Sequence, residues 1–257
     1  MTDVTPTTVA LLLIGDELLT GKIEDANGPL VVRTLRELGA ELRELRTVPD
    51  DIHVIAKAMK ELSDRHDVLV TSGGVGPTHD DVTLEATALA FGDTLGERPE
   101  LVALIDAAFG HDPASHKVWM RMACVPTRSV LVHHSGTRWP AQRIENVWIL
   151  PGVPQIFERQ FLEISGAWAC APVAQVTLYL RSGEGAIADA LRAAVERFTN
   201  VRFGSYPVLD GDGFRTRVTV ESRATATLDD AVRWLRDALG ADQIVRETRG
   251  TQLDARA

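Results

Sequence analysis

The sequence predicts an α/β protein, a mostly parallel sheet with helices on both faces, followed by a small α+β unit with the order βαββαβ. Three observations carry that reading. Short, wholly apolar runs such as Val9 to Ile14 and Val68 to Val70 mark strands buried on both faces. Segments with a 3.6-residue apolar period alternate with them, which argues for parallel βα units wound right-handedly. From about Val173 apolar and polar residues alternate one by one, the pattern of a half-covered sheet.

Each element follows from local chemistry. Val9 to Ile14 is the first strand, and Gly15 to Asp25 a polar turn. Asn27 is expected as an N-cap with Pro29 in the first turn; Leu30, Val31, Thr34, Leu35 and Leu38 then share one helical face until Gly39 ends it. Glu41 to Val48 fits a strand or a loop. Asp50-Asp51 opens a helix with Ile52, Ile55, Ala56, Met59 and Leu62 on its apolar side, Val68 to Thr71 is a strand, and Leu84 to Phe91 is a helix. Gly92, Gly96, Pro99, Gly110 and Pro113 break a largely helical stretch up to Val125, and Pro126 to Gln142 is expected to be irregular. Val147 to Leu150 is a further strand, and Pro151-Gly-Val-Pro154 opens a helix over Gln155 to Ile164.

In the second unit Val176, Leu178 and Leu180 form a strand, Ile187, Leu191, Val195 and Phe198 a helix face, and Val201 to Tyr206 a strand. Phe214, Thr216, Val218 and Val220 alternate as another, Val232, Leu235 and Leu239 close a helix at Gly240, and Gln243 to Val245 is the last strand. From Glu247 the chain is expected to fray. The expected domains are 1–170, 171–250 and a tail, 251–257.

Composition limits the function. A chain of 257 residues, 45% hydrophobic, can bury a sizeable core. A formal charge of -9 without a basic stripe argues against nucleic acid or an anionic membrane as main partner and favours a small molecule. Met1 to Val9 holds no basic residue, so no targeting peptide is expected, and no apolar run reaches the length of a membrane span. Cys124 and Cys170 form no CxxC pair and are expected as small core residues in a reducing cytoplasm.

In an open α/β sheet ligands sit beyond the carboxyl ends of the strands, where strand order reverses. Three turns leave such ends: Gly15-Asp16-Glu17, the loop Ser72-Gly-Gly-Val-Gly-Pro-Thr-His-Asp-Asp81, and Pro151-Gly152. The glycine loop is neither a Walker loop, since no Lys-Ser or Lys-Thr follows, nor the dinucleotide GxGxxG. What remains is a backbone nest at a helix start, where Ser72, Gly73, Gly74, Gly76 and Thr78 would hold a phosphate. Asp80 and Asp81 stand against that. They are either helix cap and dipole partner, or carriers of a cation. A phosphate beside each carboxylate is otherwise opposed by ~4 kcal/mol at 4 Å and an effective dielectric of 20, whereas Mg²⁺ is typically held by one or two carboxylates plus phosphate oxygens. Asp16, Glu17 and Asp50 are further acidic candidates, with loop solvation and capping as the plain alternatives. Lys117 and Arg121 lie one helical turn apart and fit a solvated face or a phosphate contact. His79 is placed at the pocket, His133 and His134 at the surface.

These motifs resemble the molybdopterin-binding-like domain of the CinA competence/damage-inducible family, also found at the N-terminus of eukaryotic FAD synthases. The resemblance spans Val9 to Ile164 through IGDELLTGKIEDAN, VPDD, TSGGVGPTHDDVTLEATALAF and LPGVP, in that order. NVWILPGVPQIFERQF, RFGSYPV and the βαββαβ pattern look closer to the FAD synthase branch. Of the usual CinA stretch before the last strand only Ser135-Gly-Thr137 is recognisable, and neither the amidohydrolase domain of CinA nor an FAD-forming adenylyltransferase domain is expected within these residues. The resemblance implies a three-layer α/β/α fold and metal-dependent hydrolysis of a nucleotide pyrophosphate such as ADP-ribose or FAD. It implies catalytic roles for Asp50 and Asp81, a divalent cation (Mg²⁺, Mn²⁺ or Co²⁺) on Asp80 and Asp81 with potassium as a companion ion, and a homo-oligomer. Two other readings stay open: a protein that binds or adenylylates molybdopterin, and a nucleotide-binding module without catalysis.

Overall fold

The structure, a computed structural model, describes residues 5–133, 138–209 and 213–251. It divides into two compact units between Cys170 and Ala171. The first runs β1 (Thr8–Ile14), α1 (Asp16–Leu19), α2 (Asn27–Leu38), β2 (Glu41–Val48), α3 (Ile52–Arg65), β3 (Val68–Ser72) and α4 (Thr83–Ala90). It continues with β4 (Leu95–Glu97), α5 (Pro99–Phe109), α6 (Pro113–Trp119), β5 (Cys124–Pro126), β6 (Val130–Val132), β7 (Ala141–Ile144), β8 (Val147–Leu150) and α7 (Pro154–Ser165).

Six strands form one sheet in the order β2-β1-β3-β8-β7-β6. The first four are parallel, and β7 and β6 are added antiparallel at one edge. The apolar run of β1 serves both faces: Val9, Leu11 and Leu13 pack with Val31, Leu35, Phe157 and Phe161 of α2 and α7. Ala10, Leu12 and Ile14 pack with Ile55, Met59, Leu84 and Leu101 of α3, α4 and α5. Each fully buried large side chain of this kind contributes about 1.5–3 kcal/mol. The carboxyl end of β1 is therefore anchored in both layers, which fixes where its turn emerges.

Three stretches differ from the sequence expectation. Glu41 to Val48 is a strand, paired along its length with β1. Its alternation is hidden by charge, because it is an edge strand whose Glu44 and Arg46 pair with each other and with Arg65 and Glu61. The polar turn after β1 contains the short helix α1, and Pro126 to Gln142 holds β6 and the start of β7. Residues 134–137, with the Ser135-Gly-Thr137 remnant and His134, lie outside the described residues; His133 is exposed.

The second unit runs β9 (Ala174–Leu180), α8 (Glu184–Arg197), β10 (Arg202–Pro207), β11 (Thr216–Ser222), α9 (Thr225–Leu239) and β12 (Ile244–Thr251). Its sheet has the order β10-β11-β9-β12, antiparallel throughout. Val176, Leu178, Leu180, Val218 and Val220 face the helices and pack with Ile187, Leu228, Val232 and Leu235. The expected fraying from Glu247 does not occur up to Thr251, since Glu247 to Thr251 pair with Leu178 to Ala174. Among the described residues no helix is long and apolar enough to cross a membrane.

Candidate functional site

The crossover after β1 leads to β2 on one side, and the next leads back to β3 on the other, so strand order reverses between β1 and β3. The three predicted turns leave the carboxyl ends of β1, β3 and β8, and backbone bonds tie the end of β3 to β8 and that of β1 to β2. The Gly73 amide donates to the Leu150 carbonyl at 3.2 Å, and that of Gly15 to the Val48 carbonyl at 3.1 Å.

Asn27 fastens the group from behind. The sequence reading made it an N-cap, but it lies inside α2, and the Asp25 carboxylate caps the helix by accepting from the amides of Asn27 and Gly28. The Asn27 side chain is thereby released. Its Nδ2, nearly buried, donates to Ser72 Oγ and to the Gly152 carbonyl, both at 2.9 Å.

The glycines are required by the protein's own packing. Gly73 has φ +110°, and a Cβ there would stand 2.2 Å from the Ile14 carbonyl oxygen. A Cβ on Gly74 (φ +65°) would meet Thr83 Oγ1 at 2.3 Å, one on Gly76 would meet the Asp81 carboxylate at 2.6 Å, and one on Gly152 would sit 3.3 Å from Gly73 Cα. Thr83, fully buried, holds the loop: Oγ1 donates to the Gly73 carbonyl and its amide to the Gly74 carbonyl, each at 2.9 Å.

The acidic pair folds back onto the loop instead of capping α4. Asp81 accepts from the amides of Gly76 (2.7 Å) and Thr78 (2.8 Å) and from Thr78 Oγ1 (2.5 Å). Asp80 also accepts from Thr78 Oγ1, a contact that holds its carboxyl below the usual carboxylate range. Of the loop amides, those of Gly73, Gly76 and Thr78 are thus engaged within the chain. Among the described residues those of Gly74 and Val75 have no acceptor.

Asp51, not Asp50, caps α3, accepting from the amides of His53 and Val54. Asp50 turns to the site and accepts from the Asp16 amide at 2.9 Å. Burial pushes its carboxyl above the ordinary aspartate range, opposed by that hydrogen bond and reinforced by the charges of Glu17, Asp16 and Asp80. The charges of Glu17, Asp16 and Asp80 therefore all act on Asp50 across the turns. Asp81 stands on the same loop as Asp80. Among the described residues no three His, Cys, Asp or Glu side chains form a ready metal cage. The donor set is carboxylate oxygen alone, which fits a hard cation completed by substrate oxygens.

A cleft of about 160 Å³ opens beside the loop, lined among others by Gly74, Gly76, Asp81, Glu85, Arg121 and Cys124. Arg121, from the turn after α6, donates to the Thr78 carbonyl at 2.6 Å and lies 3.5 Å from Glu85. It belongs to the site and not to a plain solvated face; Lys117 is exposed and not among the cleft residues. Cys124 is half-buried in the cleft wall, and Cys170 half-buried with its Sγ accepting from the Thr7 amide, so neither is a full core residue. The His79 side chain is 95% exposed and is not among the cleft residues. Thr83 and the stapling role of Asn27 escaped the sequence reading; the Asp two residues before Asn27 was the available sign that another residue does the capping.

Residues 10–167 match the family model described as probable molybdopterin binding domain, and residues 172–248 the one described as FAD synthase, middle domain. A probable FAD synthase of Caenorhabditis elegans is 31% identical over 90% of this chain and 50% of its own length. The chain thus spans about half the length of that relative. Protein TK1472 of Thermococcus kodakarensis is 35% identical over 77% of this chain and 84% of its own length. Among solved structures, protein CinA with unknown function from Thermoplasma acidophilum is similar, with 26% identity, TM-score 0.56, and 63% of this chain and 98% of that chain covered.

Proposed function

The chain belongs to the probable molybdopterin-binding-domain family, in the CinA-like form joined to an FAD synthase middle domain, and from that premise we propose a metal-dependent hydrolase of a nucleotide pyrophosphate bond. The substrate is of the ADP-ribose or FAD type, and AMP is one product. The observation that carries the reading is that Asp50 accepts from the Asp16 amide at the crevice where β1 and β3 part and feels the charges of Glu17, Asp16 and Asp80, with Asp81 beside Asp80. Alone, those acids would repel a phosphate.

Asp80 and Asp81 would hold the cation. It would polarise the scissile phosphoryl group and make a bound water nucleophilic near neutral pH. Asp81 keeps one lone-pair site beyond its three donors, so it can serve the ion without leaving the loop. The Gly74 and Val75 amides, at the rigid base set by Thr83, face no competing acceptor among the described residues and would orient a phosphate oxygen. Asp50, held on the Asp16 amide with its carboxyl raised, suits proton transfer to or from water at the reacting phosphorus. Arg121 would lie on the cleft side of the bound phosphates.

The test is a screen of FAD, ADP-ribose, NADH and CoA with Mg²⁺, Mn²⁺ or Co²⁺, products separated by chromatography. Expected are AMP (adenosine 3′,5′-bisphosphate from CoA) and the partner phosphate, and no turnover in EDTA. Adenylylation of a pterin at the expense of ATP, with every dinucleotide left intact, would instead establish the transferase.

A further inference from the structure

The second unit carries a block of arginines that nothing in the crevice explains. On the sheet face opposite α8 and α9, register sets Arg217 of β11 and Arg246 of β12 on either side of Tyr179 of β9, with Tyr206 of β10 beyond Arg217. One row further, the Arg215 amide bonds the Leu180 carbonyl and the Arg181 amide bonds the Gln243 carbonyl. Arg181 and Arg215 stand directly beyond the ends of β9 and β11, next to Tyr179 and Arg217 in the chain register, and both are exposed. Four arginine positions thus stand at one end of a four-stranded sheet, in a chain with formal charge -9.

Among the described residues none of the four has a carboxylate partner, whereas Arg192, Arg233, Arg236 and Arg249 of the same unit are all paired. The nearby acids Glu184 and Asp242 are bonded to Ser205 and Gln243. Aromatic rings are interleaved: Arg217 lies 5.0 Å from the Tyr206 ring centre, Arg246 lies 3.9 Å from that of Tyr179, and Phe214 meets Tyr179 edge-on at 4.9 Å. Arg217 Nε is buried and lacks a hydrogen-bond partner, while Arg181, Arg215 and Arg246 are exposed and Tyr206 is 46% exposed.

We propose that this face is a second ligand site, for a nucleotide whose phosphates are taken by Arg181, Arg215, Arg217 and Arg246 and whose base stacks at Tyr206. Guanidinium forks match phosphate oxygens in pairs, and a half-exposed tyrosine offers a ring face. The block is confined to one sheet end of an acidic protein, which suits a small polyanion better than a nucleic-acid strand, whose binding needs charge along its whole track. The site is independent of the proposed hydrolysis.

The chain holds two tyrosines, and both lie in this block. A full-length chain labelled with 3-fluorotyrosine therefore gives two fluorine NMR signals that report this face alone. Titration with ATP in EDTA should move the Tyr206 signal saturably, tripolyphosphate should compete for the same site, and adenosine should have no effect. The exposed pair Arg181→Gln with Arg215→Gln should weaken ATP binding about tenfold or more, and Arg217→Gln should do the same. Absence of a saturable shift, a shift reproduced by NaCl of equal ionic strength, or unchanged binding in the Arg181→Gln/Arg215→Gln chain would overturn the site. Tighter binding of a single-stranded oligonucleotide than of ATP would overturn the choice of ligand.

Discussion

Replacing Gly73 by alanine separates two explanations of the glycine loop. If the glycine exists to admit a phosphate, the variant folds normally and loses ligand affinity. The structure gives the opposite order. The residue sits at φ +110°, and its Cβ would lie 2.2 Å from the Ile14 carbonyl oxygen, a backbone atom that cannot turn away. Holding an L residue in such a conformation costs about 1–3 kcal/mol, and forcing one methyl into packed surroundings costs about 1–3 kcal/mol more. At about 2–4 °C per kcal/mol for a unit of this size, a total of about 2–6 kcal/mol lowers Tm by roughly 4–24 °C. Gly92→Ala is the control, because its φ of +59° is unfavourable but nothing stands within 4 Å of its Cβ. It should cost only about 1–2 kcal/mol. Tryptophan fluorescence follows the first unit, which contains Trp119, Trp139, Trp148 and Trp168. A Gly73→Ala Tm no lower than that of Gly92→Ala would refute the packing explanation.

Asn27→Ala leaves Ser72 Oγ and the Gly152 carbonyl without their donor and should cost about 1–3 kcal/mol, read by urea unfolding; a change below about 0.5 kcal/mol would show that the staple carries no weight. Asp81→Asn should cut metal-dependent turnover about 100-fold or more while the circular dichroism spectrum stays unchanged, and wild-type turnover would reduce Asp81 to a loop acceptor. Asp50 has a raised folded-state pKa, so its contribution to stability is greatest below the pKa of the unfolded chain and is lost as pH rises through the folded value. Asp50→Asn should therefore be the more stable protein at neutral pH, with the advantage fading on acidification through the aspartate range; equal melting curves at every pH would contradict the burial of that carboxylate.

How much of this was legible in the sequence depends on whether a residue's partner is local. The apolar runs of β1, β3 and β8 and the helix faces of α2 and α3 stand in the sequence because burial leaves a period there, and the three turns follow from where those strands stop. β2 was ambiguous because an edge strand carries charges that erase its alternation. β6 and β7 are too short, three and four residues, to show any period. At the site, the residue types and their order were readable, but not the partners. Asp81 looks like a helix-start residue until its bonds to Gly76 and Thr78 are seen, and Arg121 reaches Thr78 across 43 positions of chain. The glycines mark a close approach in the sequence without saying whether ligand or protein makes it, and the structure shows the protein's side of that approach.

The central claim is that water, not a second substrate, attacks one phosphoryl group at the acidic crevice while the bond to the bridging oxygen breaks and the other phosphate leaves. Turnover of FAD or ADP-ribose with Mn²⁺ in heavy-oxygen water, followed by mass spectrometry of the products, tests it directly. The account predicts AMP together with FMN or ribose phosphate, one heavy oxygen in one of the two products per turnover, no requirement for ATP, and loss of the reaction in Asp81→Asn. Intact dinucleotide in every metal, with AMP from ATP appearing unlabelled on a pterin, would contradict it.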